Sequence, residues 1–324
     1  MQSFEFDIIV PCYNASGSIE KMINAYLSQG YDSFRLIIIN DGSSDNTKEI
    51  CERYVGDRVI LIDQPNKGAN EARKAGFRAS EAEFIMFCDA DDYPQPGALT
   101  RINEWMNTGR ADITEFSFRN VVPGGGESYD YILKDEYIEG GCIDHYIKQK
   151  NTRNFMWNKV FDRRLIRESD FVALKYSEDF CFLANVFIRA KTYRVHSDVL
   201  HNYVLSEDSA CRREVDPSRL DMLRADKYVM DMLCTNYAHL KPFHAATVCS
   251  HAAKLYAALK TEGHMTGDLK RDLLKIFGES YSILRKNRAE VYGMSSKKRR
   301  LSIELFRMSP NLYTKLFVIR KEQC

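Results

Sequence analysis

Residues 84–94 read FIMFCDADDYP. An apolar run of strand length ends there in three carboxylates, Asp89, Asp91 and Asp92. Five consecutive apolar residues suit a strand buried on both faces. Acids packed at its exit repel one another unless a cation lies among them. Asp89 and Asp91 occupy alternate positions, so an extended chain turns both to one side. A hard divalent ion, Mn2+ or Mg2+, can be held there while water or phosphate oxygens fill its remaining positions. The stretch therefore reads as a metal and phosphate site at the carboxyl end of a buried strand.

The chain before this strand repeats its logic. Apolar runs FDIIV at 6–10, RLIIIN at 35–40 and VILI at 59–62 alternate with helical patterns near 18–28, 45–54 and 70–79. After it come a helix near 97–107 and a strand ITEFSF at 113–118. Such alternation predicts an α/β fold, a Rossmann-like, mostly parallel sheet between helices, whose ligands sit at the carboxyl ends of its strands. The chemically loaded residues fall at those ends. Pro11-Cys12-Tyr13-Asn14 follows the first strand, Asn40-Asp41-Gly42-Ser43 the second, and Pro65-Asn66-Lys67-Gly68 the third.

The 324 residues suffice for a catalytic domain over 1–215, with a nucleotide-binding half over 1–118 and an acceptor half over 119–215. In the second half, VVPGGGESYDY reads as a hairpin turn. A predominantly helical region over 216–324 follows, with apolar residues at helical spacing in RLDMLRADKYVMDMLC and LLKIFGESYSIL. A net charge of +1 gives no global reason to expect nucleic acid. No apolar run is long enough to span a bilayer, and the start lacks a basic segment followed by a long apolar one, so the expected location is cytoplasmic. Nine cysteines without CxxC pairs argue against a disulfide framework or a zinc ribbon.

The loop after the first strand lacks GxGxxG, which counts against a dinucleotide site. A tyrosine there can stack on a base and an asparagine can bond ribose or base, yet Pro-x-Tyr-Asn also serves as an ordinary strand-to-helix turn. In NDGSSDNT, Asp41 can accept a hydrogen bond from a uracil-like ring N–H, Gly42 permits a tight turn, and Ser44 or Asp45 can cap the next helix.

Taken as a set and in order, IIVPCYN, LIIINDGSSDNT, NKGANEARKAG and FCDADDYP resemble the nucleotide-sugar-dependent family 2 glycosyltransferases of the GT-A fold. The resemblance covers residues 6–118 closely and thins through MWNKVF and YSEDFCF towards 210. It implies that Pro11, Tyr13, Asn14 and Asp41 hold the nucleoside of a nucleoside diphosphate-sugar, most often uridine, with Arg73 approaching from the third loop. It implies metal at Asp91 and Asp89, ribose or sugar contacts at Asp89 and Asp92, and a base, Asp179, beside Glu178. Trp157 and Lys159 fall on the acceptor side together with Glu178. Two positions depart from the pattern: Asn40 stands where an acid often precedes Asp41, and Lys74 where an asparagine often follows the arginine. The QxxRW sequence and membrane spans of processive synthases are missing, so addition of one or a few sugars is expected.

The chemistry implied is single displacement of a nucleoside diphosphate by a glycan or lipid-linked glycan hydroxyl, with a carboxylate taking the proton and a cation stabilising the leaving group. A surface-polysaccharide pathway is the implied setting. Glu178-Asp179 also fits the favoured first turn of a helix, and His196 and His201 read as structural more readily than as metal ligands. The rivals are a sugar nucleotidyltransferase, disfavoured by the lack of Lys or Arg in PCYNASG, and a silent binding subunit, which needs no such set of acids. In the tail, 297–321, KKRR, Arg307, Lys315, Arg320 and Lys321 face a single acid, Glu304, and Leu312, Tyr313, Leu316, Phe317 and Ile319 share a helical side. Two readings stand for it: a helix lying on an anionic inner membrane leaflet, or one packed on its own domain or on another copy.

Overall fold

The computed structural model describes residues 5–148, 152–205 and 217–321. The chain divides into two compact units, one of residues 1–173 and 178–209, the other of 174–177 and 210–324. The boundary expected at 215/216 lies outside the described residues.

In the first unit, ten strands among the described residues form one sheet. They are β1 (Phe6–Cys12), β2 (Phe34–Asp41), β3 (Val59–Gln64), β4 (Phe84–Phe87), β5 (Tyr93–Pro94), β6 (Ile113–Val121), β7 (Tyr129–Tyr131), β8 (Glu136–Glu139), β9 (Lys159–Asp162) and β10 (Thr192–Val204). The order is β3-β2-β1-β4-β9-β6-β10-β5, with β7 beside β6 and β8 beside β10. The helices are α1 (Ile19–Leu27), α2 (Thr47–Glu52), α3 (Ala69–Ala79), α4 (Ala98–Gly109), α5 (Cys142–Ile147) and α6 (Glu178–Arg189). Strands β1 to β4 are parallel, as their unbroken apolar runs require of strands covered on both faces. The register pairs Ile8 with Leu36 and with Met86.

Alternation along β1 sorts its side chains between two helical layers. Phe6, Ile8 and Val10 pack with Ile19, Met22, Ile23 and Tyr26 of α1 and with Leu99, Ile102 and Trp105 of α4. Ile9 points the other way, towards α3. There Gly76 lets the helix approach so closely that an added Cβ would lie 2.4 Å from Ile9 Cγ2 and 2.7 Å from Ile39 Cδ1. The sheet then departs from simple parallel winding: β9 inserts antiparallel between β4 and β6. The three glycines lie in the turn between β6 and β7, an antiparallel hairpin.

The second unit contains α7 (Asp221–Asn236), α8 (Lys241–Thr261), α9 (Gly267–Leu284), α10 (Arg288–Met294), α11 (Lys297–Met308) and α12 (Pro310–Lys321). Helix α8 is apolar nearly all round, from Phe243 and Ala246 to Leu255 and Leu259, as expected of a helix wrapped by others. Helices α7, α9, α11 and α12 pack on it. No helix among the described residues is long and apolar enough to cross a membrane.

Candidate active site

The site begins where β1 and β4 part. Their parallel pairing ends at Ile9 and Phe87, with Cys88 N–H donating to Ile9 O at 3.1 Å. The strand order reverses there, since β2 and β3 lie to one side of β1 and β4 to the other. A crevice at the carboxyl ends of the strands is the geometric consequence. Pro11 stands two residues beyond the last β1–β4 pair, where its missing N–H interrupts no ladder with β4.

Hydrogen bonds between the loops fix the crevice wall. Asn14, at a left-handed φ of 50°, accepts from Ser44 N–H at 2.8 Å through its side-chain oxygen, while its own N–H donates to Ser43 Oγ at 3.0 Å. Thr47 Oγ1 accepts from Ala15 N–H at 2.7 Å, and Asp45 accepts from Ser16 N–H at 3.1 Å. Tyr13 projects from this braced turn with its side chain exposed. Asp41 is buried and accepts three hydrogen bonds, from Gln64 Nε2 at 2.7 Å, Lys67 N–H at 2.9 Å and Gly68 N–H at 2.7 Å. A carboxylate has about four acceptor positions, so one remains. Asn40 Nδ2 donates to Asp63 Oδ1 at 2.6 Å. An acid at position 40 would set two carboxylates against each other here.

Arg73, on α3, joins acids from both halves of the first unit. Its Nη2 donates to Asp89 Oδ1 at 3.0 Å, and its Nη1 to Glu178 Oε1 and Asp179 Oδ1, each at 3.3 Å. The guanidinium is buried. Burial opposes its charge, but Asp179, Asp89 and Glu178 together hold it firmly protonated. Asp179 stands in the first turn of α6, where the helix dipole favours an anion. Even so, burial pushes its carboxyl up to about 7; Arg73 opposes this, Glu178 and Asp89 add to it, and a backbone N–H bond from Met156 pulls back.

Asp91 is the most exposed of the three acids, although loops partly enclose its carboxyl, which accepts from its own backbone N–H and has no ion-pair partner among the described residues. Enclosure by the surrounding loops, followed by the charges of Asp92 and Asp89, pushes its carboxyl up to about 7. A bound cation would relieve that crowding. No three His, Cys, Asp or Glu side chains among the described residues are arranged to hold a metal alone. Asp91 and Asp89 offer carboxylate oxygens, the ligand type that suits Mg2+ or Mn2+ where phosphates and water complete the shell.

Three expectations are corrected by burial. Asp92 does not line the crevice: it is fully buried, its Oδ2 lies 3.2 Å from His201 Nε2, and its Oδ1 accepts from Val204 N–H at 2.8 Å. It ties the acidic loop to β10, and His201 serves that tie. Trp157 is buried too, stacked on His201 and Tyr203 at centroid distances of 4.7 and 5.1 Å. Lys159 is wholly enclosed. Its Nζ lies 3.1 Å from Glu115 Oε1 and donates to Arg153 O and Phe155 O at 2.8 Å and to Asn158 Oδ1 at 3.0 Å. His196 stacks on Trp105 at 3.7 Å.

Glu115 had no signal in the sequence, lying unmarked inside ITEFSF. It accepts from Thr152 Oγ1 at 2.7 Å, Arg153 N–H at 3.0 Å, Asn158 Nδ2 at 3.0 Å and the Tyr193 hydroxyl. With Lys159 it fixes residues 152–158, the segment whose Met156 N–H reaches Asp179. The structure thus brings together Asp89, Arg73, Glu178 and Asp179, with Asp91 on the same loop as Asp89. Trp157, Lys159 and Asp92 act behind them as packing.

Comparison with known proteins bears on the fold that carries these residues. The family model described as Glycosyl transferase family 2 matches residues 7–179. Glycosyltransferase GlyA of Streptococcus pneumoniae is 24% identical over 216 residues, which cover 63% of this chain and 31% of GlyA, so the chain spans under a third of that relative's length. The uncharacterized glycosyltransferase EpsJ of Bacillus subtilis is 26% identical over 267 residues, covering 77% of this chain and 73% of EpsJ. Among solved structures, Staphylococcus aureus TarS 1-349 in complex with UDP-GlcNAc superposes with a TM-score of 0.65 at 18% identity, covering 89% of this chain and 92% of that one.

Proposed function

We propose, because this chain belongs to glycosyl transferase family 2 and is a glycosyltransferase of the GT-A fold, that it transfers a hexose or N-acetylhexosamine from a UDP-sugar to a hydroxyl of a glycan or lipid-linked glycan. The transfer inverts the anomeric carbon and serves surface polysaccharide synthesis. The observation that carries this reading is the joining of Asp89 and Asp179 through one guanidinium, which places an acid from the end of β4 beside an acid from the start of α6. The UDP-GlcNAc bound by TarS supports a uridine donor.

On this reading the Tyr13 ring stacks on the base, the remaining acceptor position of Asp41 takes a ring N–H, and Pro11 and Asn14 shape the turn that presents them. Asp91 and Asp89 would hold a divalent cation, Mn2+ or Mg2+, which would supply positive charge against the diphosphate leaving group. Asp179 takes the proton of the acceptor hydroxyl as its oxygen bonds to the anomeric carbon, on the face opposite the breaking bond to diphosphate. A base with its pKa near operating pH suits that step. Glu178 keeps Arg73 charged and in place.

The test is a panel of nucleotide-sugars measured by calorimetry and thermal shift, each with Mn2+ and with chelator. Metal-dependent binding of one UDP-sugar supports the donor assignment and selects the sugar for an acceptor search. A folded protein that binds none of them with metal present refutes it.

A further inference from the structure

The exposed surface of α11 and α12 carries several large apolar side chains among its lysines. Five of the ten large hydrophobic side chains exposed among the described residues fall between positions 294 and 316: Met294, Leu301, Met308, Leu312 and Leu316. Scattered exposed leucines mean nothing, but a contiguous set does. On α11, Ile303 and Phe306 are buried, and α11 packs on α8. Leu301 and Met308 lie two turns apart on one line, about half a turn round from that buried pair at 3.6 residues per turn. On α12, Tyr313 is buried against Phe306, a T-shaped pair at 5.4 Å, and Thr314 is buried beside it. Leu312 and Leu316, one turn apart, stay exposed. Tyr313 therefore leaves the stripe expected from sequence, and Leu301 and Met308 join it. Phe317, Ile319, Arg320 and Lys321 have side chains outside the described set.

The charge on this face has one sign. Lys297, Lys298 and Lys315 are exposed and have no ion-pair partner among the described residues. Glu304 is the segment's one acid, and it accepts from Tyr281 and Tyr292 and pairs with Arg288 and Arg307. Between positions 297 and 316 no second carboxylate stands to balance the lysines. We infer that the outer face of α11 and α12 is a docking surface for an anionic lipid bilayer, with Leu301, Met308, Leu312 and Leu316 entering the headgroup boundary and Lys297, Lys298 and Lys315 binding anionic headgroups. Apolar side chains flanked by unpaired lysines are what an interfacial helix requires. A second copy of the same face would bring like charges together and leave them unneutralised.

The experiment is cosedimentation of the full chain with phosphatidylcholine vesicles, with and without phosphatidylglycerol. The expected result is binding to the anionic vesicles alone, weakening as salt rises. A cation at a membrane surface contributes about 1 kcal/mol, roughly fivefold in affinity. Lys297→Gln, Lys298→Gln and Lys315→Gln together should then lower affinity on the order of a hundredfold and flatten the salt dependence. Leu301→Ser with Met308→Ser and Leu312→Ser should abolish binding even at low salt. All six positions are exposed, so an unchanged melting temperature verifies folding. Failure of the wild type to bind anionic vesicles, equal binding by the serine variant, or a wild-type dimer in light scattering that the serine variant abolishes would each overturn the inference.

Discussion

Replacing Asp179 by Asn tests the assignment of the base without changing its shape. Asparagine keeps a side-chain oxygen to accept from Met156 N–H, but it cannot take a proton. A positioned general base contributes about 10²- to 10⁴-fold to rate, or roughly 3–5 kcal/mol at 1.36 kcal/mol per factor of ten. Transfer should fall by that factor while donor affinity stays within about threefold, since Asp179 reaches the donor side only through Arg73, which keeps its bond to Asp89 in the variant. On the proposed mechanism water entering the acceptor position should be activated by the same carboxylate, so slow donor hydrolysis, followed as released UDP, supplies an acceptor-independent assay. The wild-type enzyme adds a pH signature. Asp179 must be ionised to act, and its carboxyl is pushed up to about 7 by burial against the pull of Arg73. The rate should therefore drop about tenfold per unit as pH falls below 7 and level off above it. That limb should be missing in Asp179→Asn. A variant with wild-type rate, or one whose donor binding falls as far as its rate, would refute the reasoning.

Asp91→Asn should remove the metal-dependent part of UDP-sugar affinity while leaving the affinity in chelator unchanged; calorimetry with Mn2+ and with EDTA separates the two, and an unaltered metal response would place the ion elsewhere. Lys159→Met strands Glu115 inside the protein and should cost about 3 kcal/mol, the low end for a broken buried pair because four other donors still serve that carboxylate; urea unfolding measures it, and a loss below 1 kcal/mol would argue against the anchoring role. Gly76→Ala should cost about 1–3 kcal/mol by forcing α3 off the sheet at Ile9 and Ile39; an unchanged denaturation midpoint would contradict that contact.

The parallel half of the sheet was legible because its strands are apolar on both faces and its helices sit between them, so two periods alternate cleanly along residues 6–109. Asp41, Asp89 and Asp91 stood out as acids at strand exits, and the structure gives two of them structural partners there: Gln64, Lys67 and Gly68 for Asp41, and Arg73 for Asp89. The remainder depended on distant partners. Strand β9 is only four residues long, and nothing in KVFD tells it to run antiparallel between β4 and β6. Trp157, Lys159 and Asp92 look reactive in sequence, since residue type is visible there and burial is not. Each is consumed by a partner far along the chain: Tyr203 for Trp157, Glu115 for Lys159, and Val204 for Asp92.

The same long-range logic explains how the site tolerates its own charge. Asp89, Glu178 and Asp179 carry three potential negative charges around a largely buried region, an arrangement that by itself would drive protons onto them. A single arginine answers all three because its planar fork carries donors in several directions, which a lysine could not do from one point. The compensation is incomplete: burial still raises Asp179 against the pull of Arg73. Arg73 holds Asp89 at 3.0 Å and Asp179 at 3.3 Å, and the more deeply enclosed Asp179 stays near 7 despite it. A fully neutralised Asp179 would be a weak base, and an isolated one would stay protonated at neutral pH. Sharing one cation among three acids leaves the carboxylate between those limits, which is where the proposed base role would need it.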